Sequence, residues 1–258
     1  IIAGRPSMGK TAFALSIAGQ LVNDGIPSVL FSLEMSARSI MYRLISLLGK
    51  IELKKLFEAK NLSDNDFNEI ENSLSLLSRS KFFIDDTSSL SPSEILSRSR
   101  KLKRENPDLG LIIIDYMQLM NADNKNDNRV SEMSEISRSL KALAKEIDVP
   151  VIALSQLNRA PETRTGKRPV LADLKDSGAI EQDADIVTFV FRAEKYEQDL
   201  ENKGLAIIDV AKHRNGPTGS VKLHFSDKYT KFQDLAPDDP ALSCLLYTSP
   251  SPRDVSLS

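Results

Sequence analysis

A motif of eight residues near the start of the chain constrains its fold more than any other feature. Residues 4–11 read G-R-P-S-M-G-K-T, which fits the pattern G-x-x-x-x-G-K-[ST]. This pattern joins a buried strand to a helix, and its backbone N–H groups point at phosphate oxygens. The flanks agree, because residues 1–3 are apolar and residues 12–21 carry apolar side chains at helical spacing. The motif therefore predicts an α/β fold with a phosphate site, rather than a glycine-rich turn that only caps a helix.

Each residue type in this motif suits one task. Gly4 and Gly9 allow the backbone to turn tightly, Lys10 would reach the β- and γ-phosphates, and the Thr11 hydroxyl would ligate Mg²⁺. The predicted nucleotide-binding residues are Gly4, Arg5, Pro6, Ser7, Met8, Gly9, Lys10 and Thr11.

Composition excludes several classes of protein. The net charge of −2 over 258 residues leaves no global nucleic-acid footprint, so such a site must come from local clustering. A single cysteine excludes a disulfide framework and a cysteine-based zinc site. The sequence shows no apolar run of the roughly 20 residues that span a membrane and no signal peptide, so a reducing, cytoplasmic compartment without membrane contact is expected.

The chain is expected to be cut at both ends. It begins three residues before the motif and lacks an initiator Met. Residues 241–258 are rich in Ser and Pro without periodicity, which indicates a disordered tail that is not native protein. The sequence therefore predicts one domain over residues 1–240, followed by that tail.

Three further polar side chains follow apolar runs. Glu34 comes two residues beyond the run 28–32, Asp115 ends the run 111–115, and Gln156 follows the predicted strand 149–154. Ligands of parallel sheets lie at the carboxyl ends of strands, so these side chains are expected to face the motif. Asp115 would be the Mg²⁺-directed acid. Glu34 is either a general base or a helix-entry carboxylate, and Gln156 is either a γ-phosphate sensor or a hydrogen-bonding loop residue.

Helix signals fill the segments between these runs. Capping boxes are predicted at Ser63 and at Ser91, where Pro92 occupies the first helical position. The apolar residues of the helix after Ser63 are predicted to form its buried stripe: Phe67, Ile70, Leu74 and Leu77. The basic helix after Ser91 is interpreted as a solvated face.

A basic loop follows Gln156. Arg159, Arg164, Lys167 and Arg168 occur within ten residues beside one acid, Glu162, a local charge of +3. No aromatic residue lies between Ser155 and Asp185, so a nucleic-acid strand would be held through its phosphates and not by base stacking. A solvated surface loop remains the alternative.

Two cations precede a predicted turn near the end of the domain. The runs 206–211 and 221–225 flank N-G-P-T-G and indicate an antiparallel hairpin at the sheet edge. Lys212 and Arg214 lie just before its turn and could reach the nucleotide of a neighbouring subunit, as an arginine finger does.

Taken together, six ordered segments resemble the carboxyl-terminal motor domain of DnaB-type replicative helicases, a RecA-like P-loop fold. The segments are A-G-R-P-S-M-G-K-T, F-S-L-E-M-S, I-D-Y-M-Q-L-M, L-S-Q-L-N-R, S-G-A-I-E-Q-D-A-D and K-H-R-N-G-P-T-G. The resemblance covers residues 1 to about 236. It implies an α/β fold with a mostly parallel sheet flanked by helices and an antiparallel hairpin at the edge.

The resemblance also implies functions for single residues. Glu34 looks like the water-activating base, Gln156 like the γ-phosphate sensor, and Lys212 with Arg214 like the pair inserted into the next subunit's site. Loops that line the ring's channel would hold DNA. The resemblance adds Lys175, Asp176 and Gly178 to the DNA-binding residues predicted from the basic loop, which are Arg159, Arg164, Lys167 and Arg168. Lys175 and Asp176 stand where the family usually has Arg and Glu, and a Lys keeps the charge but loses the planar fork.

The activity implied is ATP- and Mg²⁺-dependent translocation on single-stranded DNA by a homohexameric ring that unwinds duplex. Primase and a helicase loader are partners implied by the family alone, and the family's amino-terminal domain and linker helix are not found in this sequence. The alternative is a RecA-like ATP-binding assembly module, a recombinase or clock-type ring, that unwinds nothing. A further reading is that the fragment alone is inert because it forms no ring.

Overall fold

The sheet at the centre of the molecule has nine strands in the order β3-β2-β4-β5-β1-β6-β7-β8-β9. The computed structural model describes residues 1–123, 128–164, 166–196 and 203–235, without the side chains of residue 163 and residues 175–177. The strands are β1 Ile2–Gly4, β2 Ser28–Ser32, β3 Phe82–Asp85, β4 Leu111–Asp115, β5 Val151–Gln156, β6 Ile186–Phe191, β7 Leu205–His213, β8 Gly219–Ser226 and β9 Lys231–Gln233.

The sheet divides into a parallel part and an antiparallel edge. Strands β1 to β6 pair in parallel, and β7, β8 and β9 add antiparallel neighbours beyond β6. The predicted fold class is therefore confirmed, and the predicted hairpin is β7 and β8. Because β5 lies between β1 and β4, the carboxyl ends of these three strands meet at one edge of the sheet.

Helices cover both faces of the sheet, as parallel strands buried on both sides require. Ile113 of β4 packs in one apolar cluster with α1, α2 and α4, whereas Ile112 and Ile114 pack in a second cluster with α5, α6 and α8. The helices are α1 Lys10–Asn23, α2 Ala37–Gly49, α3 Leu53–Glu58, α4 Asp64–Arg79, α5 Pro92–Glu105, α6 Arg129–Ile147, α7 Ala160–Thr163 and α8 Gly178–Asp183. Short 3-10 helices lie at Met117–Leu119, Leu171–Ser177 and Ala193–Lys195.

Both predicted capping boxes are present, at the starts of α4 and α5. The predicted buried stripe of α4 is wrong in part. Leu77 is buried, but Phe67 is 56% exposed and Leu74 is 44% exposed. Ile70 packs against the apolar core with Leu77, so the predicted face is covered at these two positions and exposed at Phe67 and Leu74.

Two predictions fall outside the described residues. The tail predicted at residues 241–258 lies beyond residue 235, and the end of the predicted domain, residues 236–240, is likewise undescribed. Over the described part of the chain, no helix is long and apolar enough to cross a membrane.

Candidate functional site

The glycine-bounded motif forms a tight loop between β1 and α1. Ser7 and Gly9 have positive φ values of 64° and 97°. A Cβ atom on Gly4 would lie 3.0 Å from the Val190 carbonyl oxygen, and one on Gly9 would lie 3.1 Å from the Phe232 ring. Glycine is therefore favoured at both positions, for close approach at Gly4 and also for its φ angle at Gly9.

Three of the predicted site residues, Lys10, Thr11 and Asp115, lie together at this loop. The Lys10 ammonium donates to the carbonyl oxygens of Gly4 at 2.9 Å and of Arg5 at 3.5 Å, inside its own loop. The Thr11 hydroxyl donates to Asp115 Oδ2 at 2.8 Å, across 104 positions of sequence. The first turn of α1 and the carboxyl end of β4 are thereby joined directly.

Burial is the largest cause of the pKa shifts of Asp115 and Lys10. Asp115 is 1% exposed, and burial raises the pKa of its carboxyl group despite the Thr11 hydrogen bond and the positive charges of Lys10 and Arg43. Burial likewise lowers the pKa of Lys10, against the opposing charges of Asp115 and Glu34. A phosphate or a cation bound beside these two groups would change their pKa values, because each adds a nearby charge.

Glu34 lies near Asp115, where β2 and β4 end. The backbone N–H of Leu33 donates to the Asp115 carbonyl oxygen at 2.7 Å, which fixes the end of β2 against the end of β4. Glu34 itself is exposed, and its charge acts on the pKa values of Lys10 and Asp115, although burial is the larger cause in both.

Gln156 pairs with Gly4 across β1 and β5, which places it next to the phosphate loop. The sequence reasoning missed Gln118, whose side chain hydrogen-bonds to the backbone of Gln156 and so fixes it in place. Gln118 Nε2 donates to Ser155 Oγ at 2.8 Å and to the Gln156 carbonyl oxygen at 3.2 Å, and its Oε1 accepts from the Gln156 N–H at 3.1 Å. An amide three residues beyond Asp115 was the available signal, but its target depends on strand order.

Arg43 on α2 is a second residue that the sequence reasoning missed. Its guanidinium is partly buried, and burial lowers its pKa while the charge of Asp115 opposes that effect. Its Nε atom has no hydrogen-bond partner within the described part of the chain. Arg43 therefore adds a cation near the buried carboxylate.

The basic loop is only partly available for a ligand. Arg159 and Arg168 are exposed. Arg164 instead donates from both terminal nitrogens to the buried Asp173, at 2.9 and 3.0 Å, and so has a structural function. Lys167 lies 4.8 Å from the centre of the Tyr196 ring. The side chains of Lys175 and Asp176 lie outside the described residues, and Gly178 starts α8.

Lys212 and Arg214 lie at the end of β7 and face α8 of their own chain. Lys212 Nζ donates to the Glu181 carbonyl oxygen at 2.5 Å. Arg214 donates to the Gln182 carbonyl oxygen at 3.4 Å and forms an ion pair with Asp185, also at 3.4 Å. Both side chains therefore contact α8 and the residue before β6 of their own chain, and their function on a neighbouring subunit stays a prediction.

The donor set at the loop fits Mg²⁺ better than a softer metal. Within the described ranges, no three or more His, Cys, Asp or Glu side chains are grouped closely enough to hold a metal ion. Thr11 and Asp115 offer two oxygen donors 2.8 Å apart. Magnesium commonly takes one or two protein oxygens and fills its other positions with phosphate and water.

A comparison with known families decides what this arrangement belongs to. A family model described as the DnaB-like helicase C terminal domain matches residues 1–234. The chain belongs to this family. The RecA-like P-loop architecture expected from the six segments is thereby confirmed together with the family.

Relatives and a solved structure agree with the family match. Replicative DNA helicase DnaB of Pasteurella multocida is 48% identical over 238 residues, which cover 92% of this chain and 51% of that protein. The same-named protein of Geobacillus stearothermophilus is 48% identical over 237 residues, covering 91% and 52%. A solved DnaB-like replicative helicase, studied for its interactions with primase, is 42% identical with a TM-score of 0.88, covering 91% and 57%. The chain thus spans about half the length of the curated relatives it matches.

Proposed function

We propose that this domain hydrolyses ATP to drive translocation on single-stranded DNA, as the motor of a hexameric replicative helicase. The observation that carries the proposal is the convergence of Lys10, Thr11, Asp115 and Glu34 at one edge of the sheet. A phosphate loop alone would support nucleotide binding. The exposed carboxylate beside the buried one adds the means of hydrolysis.

The residues of the chain divide the chemistry among them. Lys10 would leave its two carbonyl acceptors and bind the β- and γ-phosphates. Glu34 would accept a proton from a water molecule as that water's oxygen bonds to the γ-phosphorus and the bond to the β–γ bridging oxygen breaks. Gln156, held by Gln118, would contact the γ-phosphate. Thr11 and Asp115 would hold Mg²⁺, which when bound neutralises charge on the phosphates.

The remaining positive charge would come from another copy of the chain. Lys212 and Arg214 are held away from their own phosphate loop, so Arg214 of an adjacent subunit is the proposed source of transition-state stabilisation. This requirement supports a homohexameric ring. Single-stranded DNA would contact Arg159, Arg168, Lys175 and Gly178. Arg164 would hold the loop in place through its hydrogen bonds to Asp173. Primase, a loader and a cytoplasmic location are proposed from the family alone.

The test is ATP hydrolysis by the full chain against protein concentration, with and without single-stranded DNA. We expect turnover to rise with both. Glu34→Gln is expected to lower kcat by about 100-fold or more and to preserve ATP binding, because only proton transfer is removed. Glu146→Gln, which alters a surface ion pair with Arg100, is the control. A Glu34→Gln protein that turns over at the wild-type rate would refute the assigned base, and concentration-independent turnover would refute the ring for this chain.

A further inference from the structure

The phosphate loop is tied to the segment after β5 by one side chain. Arg5 Nη1 donates to the Leu157 carbonyl oxygen at 2.9 Å, and its Nε and Nη2 donate to Glu162 Oε1 at 2.8 and 2.6 Å. Arg5 thus contacts the end of β5 and the middle of α7, across more than 150 positions of sequence. We call the Arg5–Glu162 contact the clamp.

The clamp connects two functional parts of the molecule. On one side, the carbonyl oxygen of Arg5 is an acceptor for the Lys10 ammonium, so Arg5 belongs to the loop that would hold phosphate. On the other side, Glu162 is the single acid among the cations of the basic loop. Tyr196 lies near the clamp, because burial and the charge of Glu162 raise the pKa of its hydroxyl group while the charge of Arg5 opposes them. Lys167 Nζ lies 4.8 Å from the centre of its ring.

The clamp differs from an ordinary surface ion pair. The side chain of Arg5 is 12% exposed, and that of Glu162 is 41% exposed. In the Arg100–Glu146 pair, by contrast, the two side chains are 53% and 45% exposed at 2.5 Å. Exposed pairs of this second kind hold their partners weakly, because solvent screens them and side-chain entropy opposes them. Arg5 is instead fixed at two points and its side chain is largely removed from water.

We propose that Glu162 is a positioning residue that couples the phosphate loop to the basic loop. The inference rests on the proposed function and deepens it. In the free protein the Glu162 carboxylate neutralises Arg5. An anionic phosphate in the loop competes for that cation, which loosens α7 and changes how Arg159 and Arg168 are presented. Coupling of this kind is reciprocal, so nucleic acid bound to the basic loop changes nucleotide affinity by the same factor.

The experiment measures that factor directly. Affinity of the full chain for a fluorescent, non-hydrolysable ATP analogue is titrated with and without saturating oligo-dT, and the ratio of the two dissociation constants is the coupling factor. We expect about 5-fold or more in the wild-type protein. Glu162→Gln is expected to bring the ratio to near one while its affinity without DNA stays within about threefold of wild type, since the substituted amide no longer holds a charge against Arg5. Glu146→Gln is expected to keep the wild-type ratio.

Two further variants separate positioning from mere support. Glu162→Asp keeps the charge and is expected to restore part of the ratio, which a purely structural role would not predict. The single variant Arg5→Gln is expected to bring the ratio as close to one as Glu162→Gln does, because both changes break one contact.

Other outcomes overturn the proposal. A wild-type ratio in Glu162→Gln, or an equal loss of nucleotide affinity with and without DNA, shows that Glu162 does not couple the loops. A wild-type protein that binds both ligands with a ratio of one overturns the coupling and leaves the proposed function standing. A wild-type protein that binds no ATP analogue refutes the proposed function itself.

Discussion

At the scale of single residues, burial and the neighbouring cations have opposite effects on the pKa of Asp115. Asp115 is buried beside Thr11, and the cations Lys10 and Arg43 offset only part of the cost of burying its charge, because its pKa is raised in the folded protein. A carboxylate in such a position destabilises the free protein. Active sites commonly carry this kind of cost, since the same carboxylate becomes favourable once a cation binds.

Asp115→Asn is therefore expected to stabilise the nucleotide-free protein. An acid with a raised pKa binds more protons folded than unfolded, so stability falls as pH rises from the ordinary carboxyl pKa through the raised one. At neutral pH the substitution should raise the free energy of unfolding by on the order of 1 kcal/mol, and the gain should shrink at acidic pH. Asn can still accept the Thr11 hydrogen bond. Urea unfolding at both pH values measures the effect.

The same variant should lose most of its ATP hydrolysis, about 100-fold or more, because the proposed Mg²⁺ site loses its charged ligand. Thr11→Val gives the matched comparison, since it removes the hydroxyl donor and leaves the carboxylate buried. Lower stability of Asp115→Asn at neutral pH would show instead that the attraction from Lys10 and Arg43 exceeds the burial cost.

At the scale of elements, the antiparallel edge supports the phosphate loop from outside. The Phe232 ring of β9 packs against Phe13 of α1 at 5.3 Å and Phe225 of β8 at 4.7 Å between ring centres. The Phe232 N–H donates to Ser16 Oγ at 3.1 Å. Since a Cβ on Gly9 would meet this ring, β9 closes against the last glycine of the loop.

Phe232→Ala is expected to destabilise the domain by about 3–5 kcal/mol, because it leaves a cavity between α1 and the sheet edge. It should also weaken ATP binding, since the loop loses its outer support. Urea unfolding and nucleotide titration measure the two effects. Phe67→Ala is the control, because a ring that is 56% exposed should cost less than about 0.5 kcal/mol. Equal losses in both variants would contradict the proposed support.

The elements also show what the sequence could and could not predict. The bounds of β2 and β4 follow from continuous apolar runs, and Asp115 and Glu34 follow from their positions at strand ends. The strand predicted at residues 149–154 begins two residues later, at Val151. Periodicity identifies the apolar face of α4 but not whether a neighbour covers it. The contacts of Gln118 and of Glu162 depend on β5 lying between β1 and β4, which no local pattern encodes.

At the scale of the whole molecule, the proposed hydrolysis site takes one positive charge from another copy of the chain. Arg214 is 51% exposed and faces Asp185 and α8 of its own chain. If the proposed ring forms, every interface combines the phosphate loop of one copy with the hairpin of the next. A defect in the loop and a defect in the hairpin then affect different interfaces.

Mixing two inactive variants tests this arrangement. Arg214→Ala keeps its own phosphate loop and Glu34, whereas Glu34→Gln keeps its own arginine. In an equal mixture, about a quarter of the interfaces join an intact loop to an intact arginine, so ATP hydrolysis should recover to as much as about a quarter of the wild-type rate. Each variant alone should stay nearly inactive. Because an arginine that acts within its own chain gives no active combination, a mixture as inactive as its components would place Arg214 in cis and remove the reason for the ring.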